Sequence, residues 1–175
     1  DKLPENSCIH FSILTSLRSW NFFEISKSIN SMSNVGGFGT DGALSSLLGA
    51  SLCNPNKLYF CVIGDLAFFY DMNALGNRHF GKNVRILLVN NGKGCEFTHN
   101  LNLGHIFKED VNPYIAAAGH FGNQSKSLVK DYAKNLGFKY LTASNKEEFL
   151  TNVKEFLSPQ LSSSYIFEVF THDYN

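Results

Sequence analysis

The stretch Tyr59–Glu96, YFCVIGDLAFFYDMNALGNRHFGKNVRILLVNNGKGCE, decides the fold. An apolar run, Leu58 to Ile63, stops abruptly at Gly64-Asp65. An amphipathic segment follows, and its spacing predicts a helix over 68–80. A second apolar run, Ile86 to Val89, stops at Asn90-Asn91-Gly92. The order is strand, polar strand end, helix, strand, polar strand end. In open parallel sheets, ligands gather at the carboxyl ends of strands. Here two consecutive strand ends carry a carboxylate and a carboxamide, each beside a glycine. Asp65 and Asn91 lie 26 positions apart, which suits one crossover helix and its return strand. Two hard oxygen ligands at neighbouring strand ends suit Mg²⁺, which commonly takes one or two carboxylates together with phosphate oxygens.

The rest of the chain agrees with an α/β domain. Its 175 residues suffice for one domain with a substantial core. Fifteen basic and fifteen acidic residues balance, which argues against nucleic acid as the main partner, since phosphate backbones call for clustered positive charge. No apolar run approaches the roughly 18 residues of a membrane span. The four cysteines, at 8, 53, 61 and 95, form no C-x-x-C pair. They read as reduced thiols, so a cytoplasmic location is expected.

Working outward, the spacing of Ile9, Ile13, Leu17 and Trp20 predicts a helix over 8–23. Ser7 and His10 lie at its start, as candidates for reaching a substrate. A weak strand is expected within 26–35. Gly36-Gly37-Phe38-Gly39-Thr40-Asp41-Gly42 then leads into a helical run, Ala43 to Leu52. A glycine-rich turn opening a helix lets backbone come close to an anionic group. This segment contains G-x-G-x-x-G, from Gly37 to Gly42. A dinucleotide (NAD) site, with Asp65 on a ribose, is therefore an alternative. Against it, the strand before the glycines is poorly apolar, and Asn90-Asn91 has no role.

After Asn91, residues 97–123 are long and irregular, as functional loops often are. Beyond them, helix 128–136 ends at Gly137, and strand 138–143 follows. A helix opens at Ser144-Asn145 with Glu147 and Glu148, and its stripe is Phe149, Val153, Phe156 and Leu157. The last strand is 165–170. The expected fold is one Rossmann-like three-layer domain, with a mostly parallel sheet of five or six strands and helices on both faces.

Gly64-Asp65 and Asn90-Asn91 also resemble the signature of thiamine diphosphate enzymes: Gly-Asp-Gly, some two dozen residues, Asn-Asn. Leu66 stands at the third position. Gly-Asp-Leu followed by Tyr70-Asp71-Met72-Asn73-Ala74-Leu75 is most similar to the 2-succinyl-5-enolpyruvyl-6-hydroxy-3-cyclohexene-1-carboxylate synthases of menaquinone biosynthesis. Ser33 to Gly42 resembles those synthases' Ser-Asn-Arg-Gly-Ala-Ser-Gly-Ile-Asp-Gly without a gap. The resemblance covers nearly the whole chain, and only the diphosphate-binding domain of that family.

The resemblance implies two cofactors, thiamine diphosphate and Mg²⁺. Asp65, Asn91 and the Lys93 carbonyl would hold the metal. Gly64, Asp65, Leu66, Lys93, Gly94 and Cys95 would border the diphosphate. Phe38, Gly39 and Thr40 would face the pyrimidine side, with Thr40 supporting the bent cofactor. No catalytic acid or base is expected in this chain, because the activating glutamate belongs to a pyrimidine-binding domain, either earlier in a longer chain or on a separate subunit. The chain is thus expected to be a fragment or subunit, inactive alone, in an oligomer with active sites between chains; a non-catalytic subunit of the thiamine diphosphate fold is a further alternative. The synthases' substrate-binding arginines correspond to Val35 and to a position at or near Phe11. This substitution implies a related 2-oxo acid decarboxylase or carboligase with another acceptor. Ser7, His10 and Val35 are the candidate substrate-side residues.

Overall fold

The computed structural model describes residues 2–35, 39–99, 101–114 and 124–172. Six strands form one sheet: β1 (Cys8–Phe11), β2 (Asn30–Ser33), β3 (Tyr59–Gly64), β4 (Val84–Asn90), β5 (Lys139–Ala143) and β6 (Tyr165–Phe170). Their spatial order is β2-β1-β3-β4-β6-β5, and every pairing is parallel. The helices are α1 (Thr15–Trp20), α2 (Ala43–Ser51), α3 (Asp65–Asp71), α4 (Leu128–Asn135) and α5 (Lys146–Phe156). A 3₁₀ turn, Met72–Gly76, extends α3.

The strand sequences explain the layers. A sheet buried on both faces reads as a continuous apolar run, as in Tyr59–Ile63, all buried. Alternate side chains feed two cores. Cys61, Ile63, Ile86, Leu88 and Ile166 pack with Leu44, Leu47, Phe68, Val129 and Ala133 from α2, α3 and α4. Phe60, Val62, Tyr165 and Phe167 pack on the other face with Phe156, supported by Leu17, Trp20, Phe149 and Val153 from α1 and α5. β2 is an edge strand whose first three residues are exposed, which accounts for its poor apolar content.

Two expectations need correction. Residues 8–23 are not one helix: Cys8–Phe11 is a buried strand, and the helix begins only at Thr15. The helix expected over 68–80 starts earlier, at Asp65, and its α-helical part ends at Asp71. The expected irregular segment contains 3₁₀ turns at Cys95–Thr98 and Leu103–Tyr114, the latter kinked at Lys108. The α5 start follows its sequence signal: Asn145 Oδ1 accepts the Glu148 N–H at 2.9 Å, and Glu148 Oε2 accepts the Ser144 N–H at 2.7 Å. Gly137, after α4, has φ +81°, as expected of a helix-ending glycine.

A buried cation also sits inside this framework. Arg85 in β4 is fully buried. Its Nη1 donates to the carbonyls of Lys82, Val84 and Ser163 at 2.8, 3.1 and 2.6 Å, and its Nη2 to Gln160 at 2.7 Å. The guanidinium also lies 4.4 Å from the centre of the Tyr165 ring. It ties the loop before β6 to the start of β4.

Candidate functional site

Strand order reverses between β1 and β3, and a crevice opens there at the carboxyl edge, where the doubly wound topology places ligands. A cavity of about 160 Å³ lies in it. Its walls come from the segment after β1, from the β3–α3 junction and from the turn after β4. Of the residues singled out in the sequence, Thr40, Gly64, Asp65, Leu66, Asn91, Lys93, Gly94 and Cys95 all line it.

Asp65 is the electrostatic centre. It follows the last residue of β3 and is 3% exposed. Oδ1 accepts the Leu66 N–H at 2.9 Å and Oδ2 accepts the Gly92 N–H at 2.7 Å. The Asp65 carboxylate thus bridges the end of β3 to the turn after β4. Those two N–H groups orient the carboxylate. A carboxylate offers about four acceptor positions, and these bonds occupy two. Burial pushes the carboxyl up from 3.8 to about 6, against the pull of its backbone hydrogen bonds. A buried carboxylate bordering a cavity, with lone pairs remaining, is a hard oxygen group that could hold a divalent cation.

Asn91 borders the same cavity. Its Oδ1 accepts the Lys93 N–H at 3.2 Å and its Nδ2 meets Cys95 Sγ at 2.9 Å. Both contacts curl the turn 91–95 on itself. Gly92 is obligatory there: its φ is +78°, and a Cβ would lie 2.7 Å from Gln124 Cγ. Asn90, the preceding residue, is buried. It accepts the Gly92 N–H on Oδ1 at 3.1 Å and donates Nδ2 to Glu168 Oε1 at 2.7 Å.

The remaining candidates stand elsewhere. Gly39 is not among the lining residues, and Phe38 lies outside the described residues. Val35 is half exposed beyond β2, away from the cavity. Ser7 precedes β1, at the opposite edge of the sheet, and its hydroxyl donates to the Pro4 carbonyl at 2.7 Å. His10 is buried within β1, and burial lowers its pKa. The structure therefore brings neither Ser7 nor His10 to the cavity.

The sequence reading missed one wall: Ser12, Leu14, Thr15, Ser16 and Trp20, contributed by the β1–α1 turn and by α1. The signal was present as the alternation Ile9, Phe11, Ile13. Leu14 adopts φ +70°, an uncommon conformation for leucine of the kind that collects at functional sites. Arg18 of α1 pairs with Glu96 at 2.6 Å, joining this wall to the turn after β4.

The carboxyl shift has a measurable consequence. Between about pH 4 and 6 the folded chain keeps a proton on Asp65 that the unfolded chain releases. Ligand-free stability should therefore fall as pH rises through this window, by about 3 kcal/mol at most from this group. Urea unfolding at pH 4.5, 5.5 and 7 should show this decline, and Asp65→Asn should flatten it. An equal decline in both chains would contradict the assignment.

The sequence matches the family described as thiamine pyrophosphate enzyme, C-terminal TPP binding domain, over residues 15–168. Similar curated proteins are 2-succinyl-5-enolpyruvyl-6-hydroxy-3-cyclohexene-1-carboxylate synthases. Those of Bacteroides fragilis and Bacteroides thetaiotaomicron are 35% identical to the chain, and that of Christiangramia forsetii 32%. The Bacteroides fragilis alignment covers 97% of the chain but 29% of the relative, so the chain spans less than a third of the length of that protein. With this match over most of its length and its all-parallel sheet, the chain belongs to the thiamine pyrophosphate enzymes, as their C-terminal TPP-binding domain.

Proposed function

We propose that this domain holds the diphosphate and Mg²⁺ of thiamine diphosphate, as half of the active site of a 2-oxo acid decarboxylase or carboligase of the transferase or lyase type. The observation that carries the reading is the buried Asp65 carboxylate, bordering a cavity that Asn91 and Lys93 share. Asp65, Asn91 and the Lys93 carbonyl are the metal ligands in this reading. Gly64, Leu66, Gly94 and Cys95 border the diphosphate, and Thr40 supports the bend between the cofactor's rings. When bound, thiamine diphosphate supplies the electron sink for decarboxylation. The chain's own residues bind and orient, and the apolar walls from Ile13, Leu14 and Trp20 keep water from the crevice.

The length of the relatives supports a pyrimidine-binding domain elsewhere, in a longer chain or on another subunit, carrying the activating glutamate. Leu101, Leu103, Ile106, Phe107 and Tyr114 are all more than 60% exposed, which supports cover by a partner chain in a homo-oligomer. The isolated chain then has no turnover, and a cytoplasmic setting suits its thiols. Val35 in place of one arginine, and the lack of the other at or near Phe11, favour an acceptor other than that of the synthases.

A thermal melt tests the cofactor. Thiamine diphosphate with Mg²⁺ should raise the melting temperature, and removing Mg²⁺ with a chelator should cancel the rise. A rise with NAD alone would favour the dinucleotide alternative instead.

A further inference from the structure

The sheet contains a buried carboxylate that the proposed cofactor chemistry leaves unused. Glu168 lies in β6, within the apolar run Tyr165–Phe170, and is wholly inaccessible to solvent. A buried carboxylate is costly unless its oxygens are satisfied. Glu168 has two donors: Tyr140 O–H at 2.6 Å to Oε2, and Asn90 Nδ2 at 2.7 Å to Oε1. The first is on edge strand β5, away from the cavity. The second leads into it.

A carboxylate accepts hydrogen bonds and a carboxamide can present either end. Glu168 removes that freedom from Asn90. With Nδ2 turned to Glu168, Oδ1 must face the Gly92 N–H, which it accepts at 3.1 Å. Were the amide reversed, two acceptors would meet at Glu168 and two donors at Gly92. The same Gly92 N–H donates to Asp65 Oδ2 at 2.7 Å. A continuous chain of hydrogen bonds thus runs from Tyr140 through Glu168, Asn90 and Gly92 to Asp65.

We infer that Glu168 is a positioning residue: by fixing the orientation of the Asn90 carboxamide it holds the Gly92 turn, and Asp65 with it, in the geometry that receives the metal-bound diphosphate. This rests on the cofactor reading for its purpose, while the hold on the turn can be measured without any ligand. Glu168→Gln keeps the size of the side chain and removes its acceptor-only character. Tyr140→Phe removes the donor on the far side and leaves the Asn90 contact.

Amide hydrogen exchange of the ligand-free chain reads the turn directly. Glu168→Gln should accelerate exchange at Gly92 by about tenfold, with sheet amides such as Leu88 and Ile166 little changed. Tyr140→Phe should leave Gly92 near wild type. In parallel, Glu168→Gln should weaken thiamine diphosphate binding at saturating Mg²⁺ by about tenfold, the usual scale for groups that orient ligands. Tyr140→Phe should weaken it less than about twofold. In an Asn90→Ala background, Glu168→Gln should add little, because contacting residues acting as one unit are non-additive. Unchanged Gly92 exchange, or equal acceleration across the sheet, would overturn the inference and make Glu168 an ordinary buried group. A Gly92 response in a chain whose wild type binds no cofactor would instead overturn the cofactor reading and support the hold on the turn.

Discussion

Asp65→Ala should abolish Mg²⁺-dependent stabilisation by thiamine diphosphate. The expected size follows from mass action: ligand at 100 times its Kd stabilises the native state by about 2.7 kcal/mol. For a domain of this length that corresponds to roughly 5–10 °C in Tm, and the variant should lose all of it. The ligand-free variant should stay folded, for two reasons. The substitution removes a carboxylate whose burial opposes its charge. It also leaves the Gly92 N–H an acceptor, since Asn90 Oδ1 remains at 3.1 Å. Melting curves of both chains, with and without cofactor and Mg²⁺, separate lost binding from lost folding. A retained Mg²⁺-dependent rise in the variant would remove Asp65 from the site.

The second large effect concerns stability alone. Arg85→Ala should destabilise the chain by about 3–5 kcal/mol, the range for breaking a buried charged network. Four backbone carbonyls lose their donor, and a void opens beside Tyr165. Buried carbonyls without partners are costly individually, and here they belong to two segments held together by one side chain. Arg85→Lys should recover only part, because an ammonium has three donors and lacks the planar fork. Urea unfolding measures both variants. A loss under about 1 kcal/mol in Arg85→Ala would mean that water or a shifted loop replaces the guanidinium.

These two residues differ in how far the sequence reveals them. Asp65 stands where an apolar run meets a glycine, and Asn90-Asn91 repeats that pattern one crossover later. Strand ends are legible because hydrophobicity stops abruptly there. Helix α5 was equally legible, through Asn145 and Glu148, because its cap is built from local side chains. β1 was not, for a geometric reason. A four-residue strand offers two positions per face, and residues four apart share a face in a strand and nearly so in a helix. Ile9 and Ile13 therefore satisfied both periods, and α1, just downstream, extended the helical pattern through Leu17. Reading 8–23 as one helix hid the β1–α1 wall of the cavity and put Ser7 and His10 near the ligand.

Arg85 and Glu168 were overlooked for a different reason. Each is a lone charge inside a strand that is otherwise largely apolar, VRILLVN and YIFEVF. Such a residue announces a buried polar contact but does not name its partner. The partners of Arg85 lie up to 78 positions away, and so does Asn90 from Glu168. Only the sheet order, which sets β6 beside β4, brings them together.

The most direct measurement is a crystal structure of the chain with thiamine diphosphate and Mg²⁺ bound. The expected result is a diphosphate in the crevice between β1 and β3, with Asp65, Asn91 and the Lys93 carbonyl as direct metal ligands. A cofactor bound elsewhere, or a metal held without Asp65, would contradict this reading of the site.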